Sequence, residues 1–515
     1  MRTIFLAFFI VVMSLVSAAA GKPSIADDKK KAFGNPEISK PAVFTGEKSG
    51  LFDGVPVDYK TVAGDTFVYG KDGKATATFF TYQYIKKDVD DARTRPVTFV
   101  FNGGPGSASM WLHMGVFGPK RVLIPSDPAD DGAPPYNVVD NPETILDVTD
   151  LVFIDPVGTG LSRALKGEDP RKHWGVLEDA QSVASFIREW VEDNNRWNSP
   201  KFVAGESYGT VRASVLADEL TNKHNIGLNG IMLISAVLDY QNSRIQDGSI
   251  MSYVSFLPSF AATAWYHDKL SNKPENLEKF LAEVRTFAAG DYAKALIAGN
   301  RLSEAEEGAL IDRLHGYTGL KKSFLKASNM RIHVFRFFKE LLRDEGKVVG
   351  RLDSRYLGEE PEAEGENFGG DPFAYASGNA FTVAINDHIR NFMGVKLEGR
   401  RYNTSARSEK HWKWNWNVWG KNGVPNGGRF INVIPYLGKA MRRNSDMHVL
   451  VTSGYYDFAT PFFGAENALA EADIVKDRVH YTYYPAGHMM YVHEPSRLKF
   501  LNDIRAFIKA YDKQQ

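Results

Sequence analysis

The chain has 515 residues, 43% hydrophobic and 24% charged, which fits one large domain with insertions or two to three domains and excludes a disordered chain. Lys plus Arg and Asp plus Glu each number 62, so no net field favours nucleic acid or an anionic membrane as partner. The absence of cysteine excludes disulfides, zinc ribbons and thiolate catalysis, and leaves chemistry by Ser, His, Asp or Glu open.

Residues 1–20 read as an address rather than as fold. Arg2 precedes the apolar stretch Ile4 to Val16, which runs into Ser17-Ala18-Ala19-Ala20-Gly21. A positive start, an apolar core of about 7–15 residues and an A-x-A exit make a secretory signal peptide. A spanning helix needs about 20 apolar residues, so a membrane anchor is the weaker reading. The expectation is an exported protein, periplasmic or secreted, with no membrane anchor after cleavage near Ala20.

Residues 21–50 are polar, carry Pro and Gly, and read as a loose leader. Thr66 to Tyr69 and Ala75 to Tyr84 flank Asp72-Gly73, a hairpin turn. Apolar runs then recur at Val97 to Phe101, Leu151 to Ile154, Phe202 to Ala204, Ile231 to Ser235, His448 to Thr452 and Val479 to Tyr484. Between two of them, Val183, Phe186, Ile187, Trp190 and Val191 fall at helical spacing within Val176 to Asn194. Buried strands alternating with amphipathic helices predict an α/β fold, a mostly parallel sheet with helices on both faces. The alternation is interrupted over 241–430 by a mainly helical, irregular insertion with a capping box at Ser303 and Glu306. The expected division is therefore a signal peptide at 1–20, a core at 21–240 and 431–515, and a cap at 241–430. Within the insertion, the acidic stretch Gly358 to Asp371 reads as a solvated loop. The run His411-Trp412-Lys413-Trp414-Asn415-Trp416 reads as packing, with substrate contact as the alternative.

The central signal is Gly205-Glu206-Ser207-Tyr208-Gly209, a G-x-S-x-G directly after an apolar strand and before a helix. That turn is too tight for side chains and lifts the serine oxygen above the sheet. Serine needs a base, the base needs an orienting acid, and in this architecture the chain order is Ser, acid, His. Asp457 and His488 each stand just past the end of a late strand, where open parallel sheets hold ligands. His480 lies inside a strand run and His493 on the following helix, while Asp473 and Asp477 are weaker acid candidates between strands. Asn102-Gly103-Gly104-Pro105-Gly106 closes another strand and stands where hydrolases of this kind place one oxyanion donor, the other being the backbone of Tyr208. Read as a phosphate loop, it lacks the lysine, and Pro105 removes a donor. His488 and His493 are five apart without an H-E-x-x-H pattern, so no metal or other cofactor is expected.

Together with Asp155-Pro156-Val157-Gly158-Thr159-Gly160-Leu161-Ser162 and Gly487-His488, these blocks resemble the serine carboxypeptidase (S10) family, in the family's order across 95–495. The resemblance implies an α/β-hydrolase fold with a helical cap, a Ser207–Asp457–His488 triad and an oxyanion hole from the backbone of Gly104 and Tyr208. It also implies release of C-terminal residues from peptides, usually in mildly acidic conditions, with Asn102 and Glu206 holding the terminal carboxylate. A glutamate beside a carboxylate must carry a proton to donate to it.

The chain departs from the family pattern at four places. Val100 stands for a Trp, Ser107 for a Cys, Val116 for a second Glu of the carboxylate site, and Thr210-Val211-Arg212 for Gly-His-Tyr. A lone glutamate lacks the like-charged neighbour that would raise its pKa most. Arg212 reads as a surface charge on the helix, with a cationic partner for the substrate as the other use. The leading expectation is an exported serine carboxypeptidase acting on peptides. An esterase or acyltransferase using the same triad is the alternative, and a non-catalytic binding module is a distant third. Oligomeric state is not legible.

Overall fold

Three antiparallel strands open the sheet. In the computed structural model, which describes residues 35–512 except 247, 367, 420–424 and 427–430, β1 (Val43–Phe52) pairs along its whole length with β2 (Val55–Tyr69). The expected signal peptide and the first part of the expected leader lie outside the described residues. Asp53 and Gly54 link the two strands with φ of 49° and 78°, the two positive values a type I′ hairpin turn demands. The leader expectation is thus corrected: 43–50 is strand. Most β1 side chains are exposed or half-buried, so an edge strand facing water carries a polar sequence that hides its pairing. β2 returns into β3 (Ala75–Lys86) through the expected turn, with Gly73 at φ 74°.

Six parallel strands follow: β4 (Val97–Phe101), β5 (Asp150–Ile154), β6 (Lys201–Glu206), β7 (Gly230–Ile234), β8 (His448–Gly454) and β9 (Val479–Tyr484). The order is β1-β2-β3-β5-β4-β6-β7-β8-β9, with a two-residue strand, Arg163–Ala164, paired to β3. The chain reverses its direction of travel across the sheet at β4, so a crevice opens at the carboxyl ends of β4 and β6.

Helices cover both faces, which is why the strands read as unbroken apolar runs. The helices that bear on the site are α1 (Val176–Asp193), α2 (Tyr208–Lys223), α3 (Met251–Tyr266), α4 (Pro372–Asp387), α5 (Ile434–Arg443) and α6 (Glu494–Tyr511). Val97, Phe99, Ile231, Leu233 and Val449 pack toward α1, α2 and α5, while Val100, Met232, Ile234 and Leu450 pack toward α4 and α6. Successive strand residues thus serve opposite cores, as the two-residue period requires. This is the α/β-hydrolase architecture.

The stretch expected as one cap, 241–430, packs in two places. α3 gathers a separate core that extends to Val349 and to Tyr455, Tyr456 and Phe458 beside β8. α4 instead inserts Phe373, Phe381 and Ile385 into the core beneath the sheet. The acidic stretch before α4 is not wholly solvated, because Asp371 accepts from Phe373 N and caps that helix. Among the described residues, no helix is long and apolar enough to cross a membrane.

Candidate active site

Ser207 lies between the end of β6 and the start of α2, at φ 60° and ψ −127°, a strained conformation for a residue with a side chain. The strain is held by packing too close for anything but glycine. A Cβ on Gly205 would sit 2.4 Å from the Gly209 carbonyl, and one on Gly103 would sit 2.4 Å from Tyr208 N. The Asn102–Gly106 turn after β4 and the elbow after β6 therefore touch backbone to backbone. Ser207 N donates to the Ile234 carbonyl of β7 at 2.9 Å, anchoring the elbow to the next strand. Tyr208 opens α2, so its N–H is one of the first-turn donors that the helix itself leaves unpaired.

Asp457 and His488, 31 residues apart in sequence, meet above β8 and β9: His488 Nδ1 lies 2.7 Å from Asp457 Oδ2. The other carboxylate oxygen accepts from Ala459 N at 2.7 Å and Thr460 N at 3.0 Å, and Thr460 Oγ1 donates to Oδ2 at 2.6 Å. The histidine backbone is fixed on both sides, with His488 N donating to Leu352 O and Ser235 Oγ to His488 O, each at 2.6 Å. Burial opposes the charged imidazole, yet the charge and hydrogen bond of Asp457 outweigh it and hold His488 above its ordinary pKa. Ser207 and His488 line one cavity of about 470 Å³ together with Asn102, Gly104 and Glu206. The remaining histidine candidates are elsewhere: His480 faces His448 and Tyr511, and His493 faces Ser496. Asp473 receives Arg442, and Asp477 lies in a short turn before β9.

The turn that carries Ser107 in place of cysteine is clamped by the late part of the insertion. Arg407 donates from Nη2 to Gly104 O at 2.8 Å and from Nε to Pro105 O at 3.3 Å. Ser107 forms a β-bridge with Ser405, and Ala108 N donates to Thr404 O at 3.0 Å. Trp412 closes over Gly106. Trp414 and Trp416 meet the Tyr208 ring edge-on at centroid distances of 5.4 and 6.1 Å, so the tryptophan run packs against both halves of the turn. The block from Asp155 to Ser162 braces the same region: Asp155 Oδ1 accepts from Ser109 N at 2.7 Å and Gly160 N donates to Asn403 O at 2.7 Å.

Glu206 is buried beside Ser207. Asn102 Nδ2 donates to its Oε1 at 3.0 Å and Tyr491 OH to its Oε2 at 2.7 Å. Burial pushes the carboxyl up to about 7, against the lowering effects of His488, Tyr491 and Asn102. The glutamate thus reaches a raised pKa chiefly by desolvation, with no second glutamate supplied at position 116. Val116 is fully buried in the lower core and offers nothing polar to a ligand. Tyr491, missed in the sequence, is the added partner. It stands three residues after His488, where a tyrosine in an apolar run carries no distinguishing signal. Arg212 is also corrected: it is fully buried, pairs through Nε with Asp179 Oδ2 at 2.7 Å, and donates to the Asn102 carbonyl at 2.7 Å. It supports the Asn102 backbone from beneath and does not face solvent.

Comparison with known proteins places the chain in a family. A sequence model of the Peptidase S10 family, serine carboxypeptidase, matches residues 56–502. Serine carboxypeptidase-like 36 of Arabidopsis thaliana is 28% identical over 173 residues, 33% of each chain. Serine carboxypeptidase-like 29 of the same plant is 26% identical over 172 residues, 32% of this chain and 34% of that one. The matched segments span about a third of the length of these curated relatives. Among solved structures, Kex1(delta)p, a prohormone-processing carboxypeptidase from Saccharomyces cerevisiae, aligns with a TM-score of 0.49 at 13% identity, covering 88% of this chain and 91% of that one. A proline iminopeptidase from Mycobacterium smegmatis aligns with a TM-score of 0.34 at 15% identity, covering 87% and 99%. With the family model spanning nearly the whole described chain, the protein belongs to the serine carboxypeptidase family.

Proposed function

We propose that the protein is an exported serine carboxypeptidase that removes C-terminal residues from peptides. The observation that carries this reading is Glu206: a buried carboxyl with a pKa of about 7, hydrogen-bonded to Asn102, adjoining Ser207 in the same cavity. In its protonated form it donates to the substrate's terminal carboxylate, while Asn102 presents its amide beside it. Ser207 Oγ attacks the last peptide carbonyl as His488 takes its proton. Asp457 holds the imidazole with Nδ1 protonated and stabilises the imidazolium. The N–H groups of Gly104 and Tyr208 receive the developing oxyanion. His488 then returns the proton to the leaving amine, and water, deprotonated by the same histidine, releases the acyl group from Ser207. No metal or other cofactor enters these steps.

The test is a blocked dipeptide with a free carboxyl end, compared with its C-terminal amide. The expected result is strong preference for the free acid, with Ser207→Ala reducing kcat about 10⁶-fold. Equal cleavage of acid and amide would sink the carboxypeptidase reading. It would favour the second one, an esterase or acyltransferase with the same triad, which the buried apolar Val116 supports. Export is tested by fractionation: a chain shortened near Ala20 in the periplasm or medium is expected, and full-length protein in the cytoplasm would refute it.

A further inference from the structure

Two hollows meet at Ser207. The 470 Å³ cavity contains Asn102 and Glu206, and so belongs to the terminal residue that leaves. A second hollow of about 310 Å³ shares Gly104, Ser107, Ser207, Leu352 and Ser405 with it but contains neither Asn102 nor Glu206. If the terminal residue occupies the first, the residue that becomes the acyl group must extend into the second. That hollow is lined by Arg351 and Arg407, and through Arg351 and Ala459 it continues into a third, of about 690 Å³, lined by Arg244 and His333. Among the described residues, neither of these two hollows has an Asp or Glu in its lining.

Among the described residues, no carboxylate forms an ion pair with Arg244, Arg351 or Arg407. Arg407 donates to backbone carbonyls, and Arg244 lies on the rings of Tyr240 and Trp416. Asp371, the carboxylate that feels Arg351, commits its oxygens to the backbone N–H groups of Arg351, Leu352 and Phe373. Arg351 also acts electrostatically on His488. Its guanidinium is close enough to oppose the positive charge that His488 must take up during the reaction. An anion bound beside Arg351 would offset that opposition, which Asp457 already outweighs.

We propose that the Arg351 hollow is an acyl-side subsite for acidic residues, in which Arg351, with Arg407 at its rim and Arg244 farther out, receives the side-chain carboxylate of a Glu or Asp. On the carboxypeptidase reading, this makes peptides ending in Glu-X or Asp-X the preferred substrates.

The experiment compares N-acetyl-Glu and N-acetyl-Gln p-nitrophenyl esters, which report the acyl side alone, with N-acetyl-Glu-Leu and N-acetyl-Gln-Leu. In the wild type, kcat/KM for Glu over Gln is expected to be about tenfold or more in both pairs. The ratio should fall to near one in Arg351→Gln, take an intermediate value in Arg351→Lys, and shrink for the wild type between about 0.05 and about 1 M salt. If Arg351→Gln fails to fold by circular dichroism, the lysine variant and the salt series carry the result. A wild-type ester ratio near or below one, or a ratio untouched by substitution and by salt, overturns the subsite. A Glu preference on the esters with no cleavage of either peptide supports the subsite and overturns the carboxypeptidase reading.

Discussion

At the scale of single residues, the site depends on side chains whose roles have no local signature. Tyr491 and Glu206 are 285 positions apart, yet the phenol donates to the carboxylate and favours its charged form. On the proposed reading Glu206 donates only when protonated, so recognition of a terminal carboxylate should weaken as pH rises through about 7, while ester hydrolysis, which does not use that proton, keeps its rate. Replacing Tyr491 by Phe removes the donor, raises the proton affinity of Glu206, and should move the alkaline rise in KM for free-carboxyl peptides to higher pH. A KM profile that stays in place would refute the role. Arg212 gives a second prediction. Arg212→Met strands the buried Asp179 carboxylate and leaves the Asn102 carbonyl without its donor, so stability should fall by about 3–5 kcal/mol in denaturant unfolding. The sequence placed Arg212 on a helix but not on its buried face, because a charged residue next to an elbow looks the same in either orientation.

At the scale of elements, legibility followed burial. β4, β6, β7 and β8 are covered on both faces, so their sequences are continuous apolar runs and were readable at once. β1 is an edge strand with alternate exposed residues, and its one local clue, Asp53-Gly54, sat at the border of a stretch read as loose. The Ser207 elbow was legible because the glycines are a steric necessity, but the contact between the two turns was not, since it joins the ends of two neighbouring strands that lie far apart in the chain. That contact is testable. Gly103→Ala would place a methyl 2.4 Å from Tyr208 N, displacing the backbone proposed to receive the oxyanion. The expected result is a loss of kcat at least as large as deletion of one oxyanion donor, about 10²–10³, with fluorophosphonate labelling of Ser207 slowed in parallel. Near-normal turnover would show that the two turns can separate without cost.

At the scale of the whole molecule, a chain without cysteine holds its catalytic turns by hydrogen bonds and aromatic packing from 403–416, so dithiothreitol should leave both activity and melting temperature unchanged. A drop in either would contradict that. The clamp has a consequence for the order in which the protein comes to life. Ser207 is made early, but the loop that holds Gly104 ends two hundred residues later, and His488 comes later still, resting on Leu352 from the middle of the chain. On the proposed triad, a nascent or prematurely ended chain carries Ser207 with neither its clamp nor its base. A chain ended before His488 should therefore resist fluorophosphonate labelling at Ser207, and labelling as fast as in the full chain would contradict the dependence.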